Sequence, residues 1–170
     1  MSTKTATGVK DAYLDIETTG LSAEASRITV IGIHLCSDDG DSFVQLVGDD
    51  ITGDGLLQAL DGVDTIYTYN GDRFDLPFIH HRLGVDLTQT FKHCDLMYHC
   101  WQRGLHGGLK GVERQLGIPR RLREVNGYVA VLLWWRYVND YDEKALHTLL
   151  EYNKEDVINL KALRRLLVRV

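Results

Sequence analysis

The sequence predicts an α/β fold: one mixed five-stranded sheet with helices packed against it. Three observations predict it. Residues 11–47 hold three runs of strand character joined by short connections. Residues 54–95 alternate helix, strand, helix, strand, and helical spacing dominates from about residue 96 onward. Short links favour antiparallel pairing, whereas strand–helix alternation adds parallel strands and covers the sheet with helices.

Each element has its own basis. Residues 11–17 (DAYLDIE) alternate and then run apolar, as a strand does. Residues 27–36 (RITVIGIHLC) are rich in β-branched side chains and read as a well-buried second strand. A third strand fits 41–47 (DSFVQLV), with the Asp-Asp-Gly-Asp of 38–41 marking a hairpin turn. A short helix is expected at 54–60, a strand at 64–69 (DTIYTY), a helix from about 74 to 83 and a strand at 91–95 (FKHCD). The helical remainder breaks near Gly107-Gly108, Gly117-Ile118-Pro119 and Asn139-Asp140. Within it VAVLLWWRYV is apolar nearly all round, which assigns Trp134 and Trp135 to the core.

With 170 residues, 44% hydrophobic and 25% charged, the chain suits one compact domain with its own core. Residues 1–10 are expected to form a flexible tail and 11–170 the domain. No apolar run approaches the ~20 residues that cross a bilayer. The opening MSTKTATGVK is polar rather than signal-like, so a cytoplasmic location is expected and no membrane partner. Three cysteines without CxxC spacing imply no disulfide framework. His93-Cys94 and His99-Cys100 lack the two tight pairs of a structural zinc site.

A net charge of −5 is unusual for a nucleic-acid binder, but its distribution is informative. Residues 1–100 carry 6 Lys+Arg against 16 Asp+Glu, and residues 101–170 carry 13 against 8. An acidic half suited to cations adjoins a basic half suited to phosphates. Arg73, Lys110, Arg120, Arg121 and Arg123 are candidate phosphate contacts, though solvated surface is the commoner fate of such residues.

Three acidic segments carry the chemistry. Asp15 and Glu17, two apart on a strand, project to one face, where paired carboxylates need a cation between them or a proton. With 24 acids in the chain that spacing arises roughly three times by chance, so context matters. Thr18-Thr19-Gly20-Leu21 follows directly and leaves room for a substrate backbone. Asp75, in Asn70-Gly71-Asp72-Arg73-Phe74-Asp75, falls where a strand gives way to a helix, a place where open α/β sheets bind ligands. The same position also suits an acid that satisfies a helix dipole. Tyr152 and Asp156, at i and i+4, share one helix face. The order of the three segments is more specific than any one of them.

In that order YLDIETTGL, YNGDRFD and YNKEDV resemble the three motifs of the DEDD superfamily of 3′–5′ exonucleases, which have the ribonuclease H-like fold. Tyr152 matches the tyrosine subgroup (DEDDy), and Glu151 in place of histidine argues against the histidine subgroup. A strand ending in Asp95, a Leu109–Ile118 helix and the Tyr152–Val157 helix are similar to ribonuclease H-like domains related to the exonuclease domain of family B polymerases. The resemblance covers about Asp11 to Leu167. It implies hydrolysis of single-stranded DNA or RNA from the 3′ end, with two Mg²⁺ or Mn²⁺ ions. Asp15 would bridge both ions, Glu17 and Asp156 would complete the nucleophile-side ion, and Asp75 would hold the second through water. Tyr152, with an ordinary phenol pKa near ~10, would aim the attacking water rather than deprotonate it. Thr18, Asn70 and Phe74 would face the substrate, although Asn70 also suits a helix N-cap region and Phe74 a core aromatic. Two other readings stay open: a nucleic-acid-binding module of this fold with catalysis unused, and an endonuclease acting on RNA–DNA hybrids.

Overall fold

A computed structural model of the chain describes residues 10–168. The expected tail therefore lies outside the described residues except for Lys10, which opens the first strand.

The five expected strands form, with their edges moved by a residue or two. They are β1 (Lys10–Thr18), β2 (Ile28–Ser37), β3 (Gly40–Val47), β4 (Val63–Thr68) and β5 (Lys92–Asp95), in the order β3-β2-β1-β4-β5. β1 to β3 form an antiparallel meander, with Asp38-Asp39 as the two-residue turn between β2 and β3. β4 and β5 join parallel to β1, so three strands end at the same edge of the sheet. The sheet is the mixed α/β arrangement expected from the sequence.

Alternation along β1 divides the two faces. Ala12, Leu14 and Ile16 pack with Ile31, Ile33, Leu35 and Ile66 against helices α1 (Gly53–Ala59) and α2 (Asp75–Leu83). Tyr13 packs on the other face with α3 (Leu96–Trp101), α4 (Leu109–Leu116) and the 26-residue α6 (Glu143–Val168). Helix α5 (Gly127–Asp140) packs beside α6 through Ala130, Leu133 and Trp134, next to Val30. Leu14 is fully enclosed in this core, and its truncation to alanine would cost about 2–5 kcal/mol.

The helical half follows the sequence expectations with one correction. The expected break near Asn139-Asp140 falls where α5 ends at Asp140, followed by Tyr141 in the left-handed conformation at φ 55°. Trp134 is buried as expected, but Trp135 is 40% exposed and shares the outer face of α5 with Leu132 and Val138. A helix that covers only one face of a sheet keeps one side in solvent, however apolar its sequence. Among the described residues, no helix is long and apolar enough to cross a membrane.

Candidate active site

The three segments meet at the edge where β1, β4 and β5 end. Asp15 and Glu17 occupy the same face as Tyr13, beneath α6, because residues two apart on a strand point the same way. A register shift between Glu17 and Thr18 ends the regular ladder with β2. Thr18 then closes a tight turn by donating its hydroxyl to the Gly20 carbonyl at 2.7 Å.

The second segment is a turn built around Asp95. The carboxylate of Asp95 accepts N–H groups from Asn70 (2.8 Å), Asp72 (3.2 Å) and Met97 (3.0 Å), so it ties the turn to β5 and caps α3. Asn70 takes a left-handed backbone, φ 63°, and a Cβ on Gly71 would lie 2.1 Å from the Thr68 hydroxyl. His93 bridges Thr68 (2.8 Å) and Asp72 (3.0 Å). Held this way, the chain enters α2 with Asp75 as its first residue. The Asp75 side chain turns back to the sheet and accepts the Ile16 N–H at 3.0 Å.

The third segment is the middle of α6. Tyr152, Asn153 and Asp156 are all buried there. The Asn153 amide donates to both the backbone carbonyl (3.3 Å) and the carboxylate (3.2 Å) of Asp15, and Gln45 holds its oxygen at 3.0 Å. This packing needs a glycine on β2, because a Cβ at Gly32 would sit 2.1 Å from the Asn153 oxygen. Asp156 accepts a hydrogen bond from Arg120, which also pairs with Glu113 through two bonds of 2.7 Å. Glu155 points away from the carboxylate cluster and accepts the N–H groups of Arg121 and Leu122 at 2.6 and 3.1 Å.

Oxygens of Asp15, Glu17 and Asp156 come within 4.8 Å of one another, a donor set that could hold a metal ion. Burial raises the Asp15 and Glu17 carboxyls well above their ordinary range, and the neighbouring carboxylates raise them further. Burial also pushes Asp75 up to about 7 and Asp156 up to about 6, although Arg120 opposes the rise at Asp156. The Tyr152 phenol is raised above its ordinary value, first by burial and then by the charges of Asp156, Glu17 and Asp15. A cleft of about 480 Å³ opens over the cluster, lined by Thr18, Asn70, Phe74 and Tyr152 beside the four acids. Leu21, 89% exposed, and Tyr128, 73% exposed, stand at its mouth.

A family model of the RNase_H superfamily matches residues 12–168. The chain belongs to that superfamily. The uncharacterized protein YprB of Bacillus subtilis (strain 168) is 29% identical over 167 residues, covering 89% of this chain and 40% of YprB. This chain thus spans less than half the length of that relative. Among solved structures, the family B DNA polymerase of Pyrobaculum calidifontis is similar at TM-score 0.73 and 18% identity, covering 94% of this chain and 24% of the polymerase. Brucella melitensis NrnC is similar at TM-score 0.62 and 21% identity, covering 95% of this chain and 73% of NrnC. NrnC has also been solved with bound Mg²⁺ and bound to pGG. At these identities the likeness is one of fold.

For this member of the superfamily, the structure brings all eight expected residues (Asp15, Glu17, Thr18, Asn70, Phe74, Asp75, Tyr152 and Asp156) to one cleft. The expected phosphate contacts divide. Arg121 and Arg123 are exposed, and Arg73 lies over the Trp101 ring at 5.4 Å. The Lys110 ammonium sits 4.6 Å from the Tyr152 ring centre and lines an adjoining pocket that shares Asp15, Asn70, Tyr152 and Asp156 with the cleft. Arg120 is buried among acids and does not face solvent. His93 is committed to Thr68 and Asp72, and Cys100 is buried in the core, so the pairs at 93–94 and 99–100 form no metal cluster among the described residues. Sequence reasoning missed Asn153 and Glu113, and it took Arg120 for a phosphate contact rather than a partner of Asp156. The signal for Asn153 was Gly32, an isolated glycine inside a strand, which marks a close approach.

Proposed function

We propose that this chain is a metal-dependent 3′–5′ exonuclease of the tyrosine (DEDDy) subgroup that hydrolyses single-stranded nucleic acid. One observation carries the reading: three carboxylates converge within 4.8 Å in an open cleft, with Asp75 beside them and Tyr152 one helical turn from Asp156. Buried acids so close repel one another unless protonated or bound to cations. The donors are all hard oxygens, which fits Mg²⁺ or Mn²⁺ rather than a soft metal. Asp15, Glu17, Asp75 and Asp156 would hold two such ions, which when bound activate water and stabilise the leaving oxygen of a phosphodiester. The binding of Mg²⁺ and pGG by the similarly folded NrnC supports this assignment.

The remaining residues act on the substrate. A phenol held above its ordinary pKa stays protonated at neutral pH, so Tyr152 donates a hydrogen bond that aims the attacking water. Lys110, over the same ring, adds positive charge where a phosphate enters. Asn70, Phe74 and Thr18 line the cleft, and the exposed apolar groups of Leu21 and Tyr128 offer faces to unpaired bases. The basic 101–170 half supplies further attraction for the strand.

The test is cleavage of 5′-labelled single-stranded DNA and RNA with Mg²⁺ or Mn²⁺, wild type beside Asp15→Ala. A metal-dependent ladder shortening from the 3′ end, lost in the variant, is expected. Folded protein that cleaves neither strand, or that cuts circular strands, would overturn the assignment.

A further inference from the structure

The cluster's acids are not left to find their own orientation. Asp75 has one oxygen on the Ile16 N–H, and Asp15 has one on the Asn153 amide. Asp156 has Oδ1 on a guanidinium that the sequence gives no reason to place there. That guanidinium belongs to Arg120, in the loop after α4. Its Nε and Nη2 bond both oxygens of Glu113, and Asn159 of α6 donates to Glu113 Oε1 at 3.0 Å. Glu113 is 1% exposed and Arg120 8% exposed, so the pair is almost wholly shielded from solvent.

We propose that Arg120 is a positioning residue for Asp156: clamped by Glu113, it fixes one carboxylate oxygen and leaves the other for a cation shared with Asp15 and Glu17. This rests on the metal-site reading above. Two features favour positioning over simple packing. Buried ion pairs are poor stabilisers, because desolvation offsets much of their attraction. Moreover Arg120 Nη1 makes no hydrogen bond to another protein group and lies 3.9 Å from Glu155, so the guanidinium's side-chain hydrogen bonds are concentrated on Glu113 and Asp156. The planar fork grips Glu113 along one edge and still reaches Asp156 with the same Nη2, which an ammonium cannot reproduce.

A cation beside a metal site also repels metal, so the test must keep the charge constant. Arg120→Lys does so and removes only the fork. The experiment is calorimetric titration of metal-stripped protein with Mn²⁺, with folding followed by circular dichroism. Arg120→Lys is expected to remain folded and to bind Mn²⁺ about tenfold more weakly, as for loss of other groups that orient metal ligands. Glu113→Asp keeps both the guanidinium and the charge but shortens the clamp, and is expected to show a smaller loss in the same direction. It carries the test alone if Arg120→Lys does not fold. A folded Arg120→Lys or Glu113→Asp variant with wild-type affinity overturns the role of Arg120 and leaves the metal site standing. A loss that merely tracks unfolded protein overturns it as well. Wild type that binds no Mn²⁺ removes the metal site itself, and this role with it.

Discussion

Strand β1 and helix α6 cross the molecule together, and their two ends treat acids in opposite ways. At one end Asp11 pairs with Arg164, and Asp41 with Lys161 and His34. The Lys161 ammonium there holds the Asp41 carboxyl down to about 2. At the other end Asp15, Glu17, Asp75 and Asp156 crowd together, Arg120 makes their one ion pair among the described residues, and burial raises every one of them. The same side chain on the same strand is thus stabilising at one end and destabilising at the other. Acids left uncompensated in a buried place mark function more reliably than acids as such. His34, Cys36 and Asp41 also form a group that could hold a metal, but Lys161 already bonds Asp41 there.

Substitutions at the two ends break the comparison most sharply. Asp15→Asn should reduce cleavage on the order of 10⁴-fold while raising the melting temperature of metal-free protein, because it removes a repelling charge. Asp11→Asn should change the rate less than about twofold and lower the melting temperature, because it removes the carboxylate paired with Arg164. Steady-state rates and thermal melts on the same samples check both. Equal losses of rate at the two ends would erase the distinction.

Tyr152→Phe sharpens the chemical end alone. It should leave Mn²⁺ affinity unchanged and slow turnover about 10²-fold, read by calorimetry and single-turnover cleavage. Unchanged turnover would retire the role of the phenol in aiming water.

pH separates the two ends without mutation. At the carboxylate cluster the folded pKa values are raised above the unfolded range near ~4, to about 7 for Asp75 and about 6 for Asp156. Between those limits the metal-free folded protein holds more protons than the unfolded chain, so stability falls as pH rises. A melt in chelator should lose about 5 °C between pH 5 and 7.5, and Mn²⁺ should restore it most at the higher pH. At the other end Asp41 has a lowered pKa, so its contribution is present above ~4 and fades as pH falls toward 2. Exposure and salt keep that contribution small. A flat chelator profile would contradict the reading of the cluster.

The smallest effect belongs to the cleft mouth. Leu21→Ala and Tyr128→Ala should each raise the KM for single strands several-fold with little change in kcat, the signature of lost uniform binding. A fall in kcat alone would place them in the chemistry instead.

What was legible in the sequence followed local rules. Asp15 and Glu17 share a face because strands have a period of two, and Tyr152 and Asp156 share one because helices return in four residues. The five strands emerged from β-branched runs and turn residues within a few positions of one another. What the sequence left open depends on long-range contacts. Asn153 meets Asp15 across 138 residues, and Arg120 meets Asp156 across 36, so no window along the chain contains either pair. Asp75 was ambiguous between helix dipole and site until the Ile16 N–H decided where its carboxylate turns. Trp135 was assigned to the core because composition cannot tell which side of an apolar helix lacks a neighbour.

The central claim is that the uncompensated acids form a metal centre, and anomalous diffraction from crystals grown with Mn²⁺ tests it most directly. The account predicts anomalous density among Asp15, Glu17 and Asp156, close to Asp75 and absent after Asp15→Asn. Density at other acids only, or none at this cluster with the protein saturated in Mn²⁺, would contradict it.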